Sequence, residues 1–126
     1  MPSMSDQDED ISVITEGVGL STLKALAERR FGDMVKVVVD VDAEVMAIGA
    51  ELHADEESLL LGRGSSQREL WGINLYPDQF PDGEWLEFDS MINIRPAQSN
   101  RSRSVDDPQL QERIRAVVAR LVRPDE

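Results

Sequence analysis

From Met34 to His53 the chain keeps a period of two. Val35, Val37, Val39 and Val41 alternate with Lys36, Val38, Asp40 and Asp42, and then Met46, Ile48, Ala50 and Leu52 alternate with Val45, Ala47, Gly49, Glu51 and His53. Side chains on a strand change face at every residue, so this pattern fits two half-buried strands. A tight turn at Asp42-Ala43 sets Val39 opposite Met46 and Val37 opposite Ile48, which brings both apolar rows to one face. Read as a helix, the same stretch would group Val41, Val45, Ile48 and Leu52, with Gly49 in its interior, where it weakens a helix.

A second strand pair follows. LWGINLY (70–76) and WLEFDSMINIR (85–95) are joined by the turn-rich PDQFPDG. With Leu75 facing Leu86, Ile73 meets Phe88 and Trp71 meets Ser90 on the core side, while Asn74 lies beside Glu87 and Gly72 beside Asp89 on the other. A helix precedes the first pair: Ser21 is its N-cap, Leu20, Leu23, Leu26 and Ala27 share one side, and Gly32 is its stop. Another follows the second pair, with Asp107 as cap, Pro108 in the first turn and a buried stripe of Leu110, Ile114, Val117, Val118 and Leu121. Arg120 and Arg123 suit its C-terminal dipole, and Pro124 ends it. HADEESLLLGRGSSQ reads either as a short helix over 55–64, capped by Asp55, or as a strand and turn; the helix is preferred.

The order α-β-β-(short α)-β-β-α gives a two-layer α+β domain over 18–124. Its mainly antiparallel four-stranded sheet carries two amphipathic helices on one face and leaves a polar face open. Residues 1–17 read as a flexible acidic arm, in which ISVI (11–14) is a candidate edge strand.

Composition limits the function. The 126 residues suit one domain, and no run approaches the length of a membrane span. The start lacks the basic and apolar segments of a secretory signal, so a soluble, cytoplasmic protein is expected. With no cysteine, disulfides, thiolate metal sites and cysteine nucleophiles are excluded. A formal net charge of -12 argues against general nucleic-acid binding, which neutralises phosphates with a basic surface.

Against that charge, one stretch stands apart. From Ser90 to Val105 sixteen residues hold three arginines and no acid. On the open face, Glu51 and His53 of the second strand and Glu87, Asp89, Asn93 and Arg95 of the fourth lie together. Gly49, Ala47 and Gly72 lower the floor between them. Arg95, Gln98, Asn100, Arg101 and Arg103 then form a positive rim, and guanidinium forks match phosphate or carboxylate oxygens. The structural reading of the same arginines is that they neutralise Asp89, Asp106 and Asp107 and cap carbonyls.

His53, the sole histidine, has the proton affinity of a general acid or base, with Glu51 or Asp89 as its carboxylate partner. A single imidazole excludes zinc sites built on two or three histidines, and no metal or other cofactor is expected. Asp40, Asp42 and Glu44 lack the spacing of a calcium loop and read as turn residues. GRGSSQ lacks the Lys-Ser/Thr pair of a phosphate loop. Trp71 and Trp85 read as packing residues rather than base-stacking platforms.

The blocks RFGDMVKVVVDV, MAIGAELHADEE, GSSQRELWGINLYP and FDSMINIRPAQSNRSRSVDDP resemble those of a bacterial family of small proteins of unknown function, over most of residues 20–124. The resemblance implies no activity, substrate, cofactor or catalytic residue.

Three functions fit these residues. The first is a binding module whose open face and arginine loop receive an anionic small molecule or a protein partner. The second is a small hydrolase or ribonuclease-like enzyme, with His53 paired to a carboxylate and Arg95 with Arg101 stabilising phosphate charge. The third is a homodimer assembled through the open face.

Overall fold

The structure, a computed structural model, describes residues 11–124. The acidic run up to Asp10 therefore lies outside the described residues.

The alternating segment folds as the expected hairpin. Strands β3 (Val35–Asp40) and β4 (Val45–Ile48) pair antiparallel with Val39 opposite Met46 and Val37 opposite Ile48. Asp40 builds the turn: its Oδ1 accepts the N–H groups of Asp42 and Ala43, each at 2.9 Å, and its Oδ2 accepts the Ser65 hydroxyl at 2.6 Å. A short aspartate side chain reaching its own backbone two and three residues on is what starts such a turn.

The sheet has five strands among the described residues, not four. Its order is β1-β4-β3-β5-β6, antiparallel throughout, with β1 at Ser12–Ile14, β5 at Leu70–Leu75 and β6 at Leu86–Glu87. ISVI thus supplies an edge strand, so the sheet takes in residues that a boundary at 17 assigns to the arm. Separately, β2 (Val18–Gly19) pairs parallel with β7 (Val122–Arg123), tying the two ends of the domain together.

Helix α1 (Leu20–Arg30) starts one residue before the expected cap, with Gly19 rather than Ser21 at the N-cap position. Helix α3 (Pro108–Leu121) begins as expected: the Asp107 side chain accepts the Gln109 N–H at 2.9 Å and Pro108 opens the first turn. These two helices cover one sheet face, where Leu23, Ala27, Ile114 and Leu121 meet Val37, Val39, Met46, Ile48, Trp71 and Ile73.

The other face is not open along its length. The short helix is real and lies two residues earlier than expected: α2 (His53–Gly62) has Leu52 rather than Asp55 at its N-cap position and lies on this face. Its Leu60 packs on Val38, Ala47 and Leu70. The fold is α+β with a third, partial layer. Val38 and Ala47, opposite one another across β3 and β4, are apolar where strict alternation would place polar side chains, and α2 is what covers them.

The largest departure is in the return strand. WLEFDSMINIR forms strand only at Leu86–Glu87, where Leu75 faces Leu86 and Asn74 faces Glu87 as expected. Phe88 and Ser90 therefore do not pair with Ile73 and Trp71. Instead Ser90 starts a 3₁₀ turn over Met91–Asn93, its Oγ accepting the Ile92 N–H, and the Asn93 side chain takes over the edge of β5. Its Oδ1 accepts the Gly72 N–H at 2.8 Å and its Nδ2 donates to the Gly72 carbonyl at 3.0 Å. One carboxamide makes both hydrogen bonds a neighbouring strand would have made.

Candidate functional site

The arginine loop is built inward. Asn100 is buried; its Nδ2 donates to the carbonyls of Asn93 and Ser104 at 2.8 and 2.7 Å, and its Oδ1 accepts the Asp106 N–H at 2.7 Å. Side-chain amides here pair with backbone that has no regular partner, which is why the loop is rich in Asn, Gln and Ser. Arg95 lies over the Trp71 ring, 4.4 Å from its centroid, and donates to the carbonyls of Ile92, Gln67 and Leu70. Gln98 donates to the Arg68 carbonyl at 3.2 Å.

The missing acids come from elsewhere in the chain. Glu57 of α2 stands 3.7 Å from Arg95, and Asp89 accepts from Arg103 at 2.6 Å. Asp106 accepts the Arg101 N–H at 3.1 Å and the Ser102 hydroxyl at 2.6 Å; that hydroxyl, ahead of the backbone N–H groups, holds its carboxyl below the usual range. Of the rim, the Arg101 guanidinium has no partner among the described residues and stands exposed.

His53 and Glu51 do not meet. Glu51 lies in the exposed bend after β4 and pairs with Arg30 at 3.0 Å. His53 is the first residue of α2 and is buried, with Nε2 2.8 Å from the Ile73 carbonyl. A carbonyl only accepts, so Nε2 carries the proton. Burial, the largest influence, lowers the His53 pKa to about 4.

What stays open on this face is a cavity of about 420 Å³ between the start of α2 and the 88–92 segment. Its floor is one rung of the sheet. Lys36 of β3 is opposite Asn74 of β5, and Asn74 is opposite Glu87 of β6, so an ammonium, an amide and a carboxylate follow one another across three strands on one face. Asn74 is almost wholly buried; its Nδ2 donates to Glu87 Oε1 at 3.0 Å and to the Asp89 carbonyl at 3.2 Å. Both neighbours are acceptors, which fixes the amide's orientation and leaves Oδ1, buried, with no hydrogen-bond partner.

The walls add His53, Asp89 with its partner Arg103, and Tyr76. The Tyr76 hydroxyl donates to Glu87 Oε1 at 2.9 Å, and burial followed by that carboxylate pushes its pKa up to about 12. The rim is apolar: Leu52 and Met91, on opposite walls, are 54% and 65% exposed. Lys36 has no carboxylate partner among the described residues; its ammonium lies 5.3 Å from the Phe31 ring centroid.

Of the residues singled out from the sequence, His53, Glu87, Asp89 and Arg103 line this cavity; Glu51, Asn93, Arg95, Gln98, Asn100 and Arg101 do not. Lys36 and Tyr76 were missed. The pairing of Asn74 with Glu87 is legible in the hairpin pattern, whereas Lys36 joins them only once β3 is known to neighbour β5.

Gly72 lets Ser90 and His53, both in the cavity wall, pack directly against the β5 backbone. A Cβ there would come within 2.6 Å of Ser90 Cβ and 3.2 Å of His53 Cδ2. Gly72→Ala is expected to destabilise the fold by about 1–3 kcal/mol through this overpacking. Ser90→Gly in the same chain should restore part of the loss, as read from denaturant midpoints; a double variant no more stable than Gly72→Ala would show that Ser90 is not the obstacle.

One family model, described as "Protein of unknown function (DUF5674)", matches residues 12–121. No curated protein and no solved structure matches the chain. No helix among the described residues is long and apolar enough to cross a membrane.

Proposed function

The chain belongs to the DUF5674 family, and we propose that it is a binding module that receives a small anion-bearing ligand in the cavity over Lys36, Asn74 and Glu87. The observation that carries this reading is the unsatisfied floor: a buried Asn74 Oδ1 without a donor beside a lysine without a carboxylate. Leaving a buried polar atom unpaired costs about 1–3 kcal/mol, and a ligand donor would recover it. The cavity volume falls within the roughly 300–1,000 Å³ of small-molecule sites.

Binding is favoured over catalysis by the state of His53. A general base works best with a pKa near the operating pH, whereas this imidazole is held at about 4 and its Nε2–H is committed to a backbone carbonyl. The arginines meant to stabilise phosphate charge are also apart: Arg95 is anchored under the β5 edge, and neither it nor Arg101 lines the cavity.

A ligand that binds only the folded state raises its melting temperature. Small carboxylates and inorganic phosphate, tested one at a time, should include members that raise the Tm of the protein and leave that of Lys36→Met unmoved. Equal rises in both proteins would take Lys36 out of the site; no rise with any member would remove the proposal.

A further inference from the structure

The cavity's charges point to a narrower ligand class than an anion, an inference that rests on the binding role just proposed. Four ionised side chains line it. Two of them, Arg103 and Asp89, neutralise each other at 2.6 Å. The remaining two, Lys36 and Glu87, are left as an uncancelled pair of opposite sign, since neither has an ion-pair partner among the described residues. They lie two strands apart on one rung, a separation of about 10 Å between Cα atoms at ordinary antiparallel spacing.

Between them the hydrogen bonds are directional. Asn74 Nδ2 and the Tyr76 hydroxyl both donate to Glu87 Oε1, which fixes that carboxylate as an acceptor facing the cavity floor. The Asn74 Nδ2 branch is turned toward Glu87 and the Asp89 carbonyl, and Oδ1, on the other branch of the planar amide, lacks a donor. An anion alone would meet Lys36 and leave Oδ1 and Glu87 unanswered. A cation alone would leave Lys36. A molecule with an N–H-rich ammonium at one end and a carboxylate at the other answers all three, and the exposed Leu52 and Met91 at the rim suit an apolar body between or beside its charges.

We infer that the ligand is a small zwitterion of dipeptide size with apolar side chains, its carboxylate held by Lys36 and its ammonium shared by Asn74 Oδ1 and Glu87.

Calorimetric titration of the full chain with Ala-Leu, Val-Phe and Leu-Leu, each free, N-acetylated and C-amidated, separates the two charges. The free dipeptide that binds should lose tenfold or more in affinity on either modification. Glu87→Gln should shrink the penalty of acetylation several-fold while keeping that of amidation, and Lys36→Met should shrink that of amidation while keeping that of acetylation; Glu87 is exposed and Met keeps the length of Lys, so both variants should fold.

An acetylated dipeptide that binds as tightly as the free one would overturn the zwitterion and leave the anion site standing. No heat from any form, in a protein whose Tm small anions do raise, would overturn the zwitterion alone. No heat together with no Tm response would overturn both readings.

Discussion

Asn93→Ala is expected to lose about 3–5 kcal/mol of stability, the largest effect of any single substitution in the 88–107 segment. Asn93 is fully buried, and its carboxamide pairs with the Gly72 N–H, the Gly72 carbonyl and the Arg103 carbonyl at 2.8, 3.0 and 2.9 Å. Alanine would strand both polar groups of Gly72 on a buried strand, where water cannot replace the lost partners. Its own carbonyl accepts from Asn100, so the damage should spread into the loop. By contrast, Arg101→Ala should fall within about 0.5 kcal/mol of the parent, as expected of an exposed side chain. Urea unfolding of both variants decides this. An Asn93→Ala loss under about 1 kcal/mol would mean that the edge of β5 is closed by something other than this side chain.

Stability should also respond to pH through two buried groups acting in opposite directions. The His53 pKa is lowered from 6.5 to about 4, chiefly by burial. Below pH 6.5 the unfolded chain takes up a proton that the folded chain refuses, so stability is full above 6.5 and falls as the pH drops toward 4. The loss is on the order of 3 kcal/mol.

Glu56 of α2 is completely buried, with Oε2 accepting the Ala50 N–H at 3.1 Å and Oε1 without a partner. Burial, outweighing that hydrogen bond and the nearby Lys36, raises its pKa well above 4.5. Here the unfolded chain releases a proton that the folded chain keeps, so stability is full below 4.5 and is lost as the pH rises above it. Between 4.5 and 6.5 the two effects offset one another.

Glu56→Gln removes one of them. The variant should be more stable than the parent at pH 7, by a margin that shrinks toward pH 4.5, and should show the acid-side loss due to His53 uncovered. His53→Gln, which keeps a donor for the Ile73 carbonyl, should flatten that loss. Melting curves from pH 4 to 8 test both. A Glu56→Gln margin that does not vary with pH would mean that Glu56 ionises alike in the folded and unfolded chain.

The parts of the fold visible in the sequence are those set by side-chain alternation and local caps. Val37 and Val39 found Ile48 and Met46 because a one-residue slip would turn every valine to the wrong face. Asp107 with Pro108 marked the start of α3 for equally local reasons. The segment 88–104 was opaque because its backbone is satisfied by side chains, Asn93 and Asn100 above all, and a side chain reaching across the fold leaves no period. The open polar face failed for a different reason. Val38 and Ala47 interrupt the polar row, and that interruption is the trace of α2 lying over it.

The candidate site divides along the same line. Asn74 and Glu87 could be paired from the hairpin, and Asp89 and Arg103 stood in segments already suspected. Lys36 required the strand order, because β4, α2 and a short 3₁₀ turn separate β3 from β5 along the chain. The arginine loop drew attention by its lack of acids, and its carboxylate partners Glu57, Asp89 and Asp106 lie outside the run in sequence while meeting it in space.

The most direct test is an amide NMR titration of the labelled protein with the dipeptides and small anions named above. Ligand-induced shifts should centre on Lys36, His53, Asn74, Glu87 and Asp89, with Gln98 and Arg101 unmoved. Shifts confined to 98–103, with the rung silent, would contradict the account and return the site to the arginine loop.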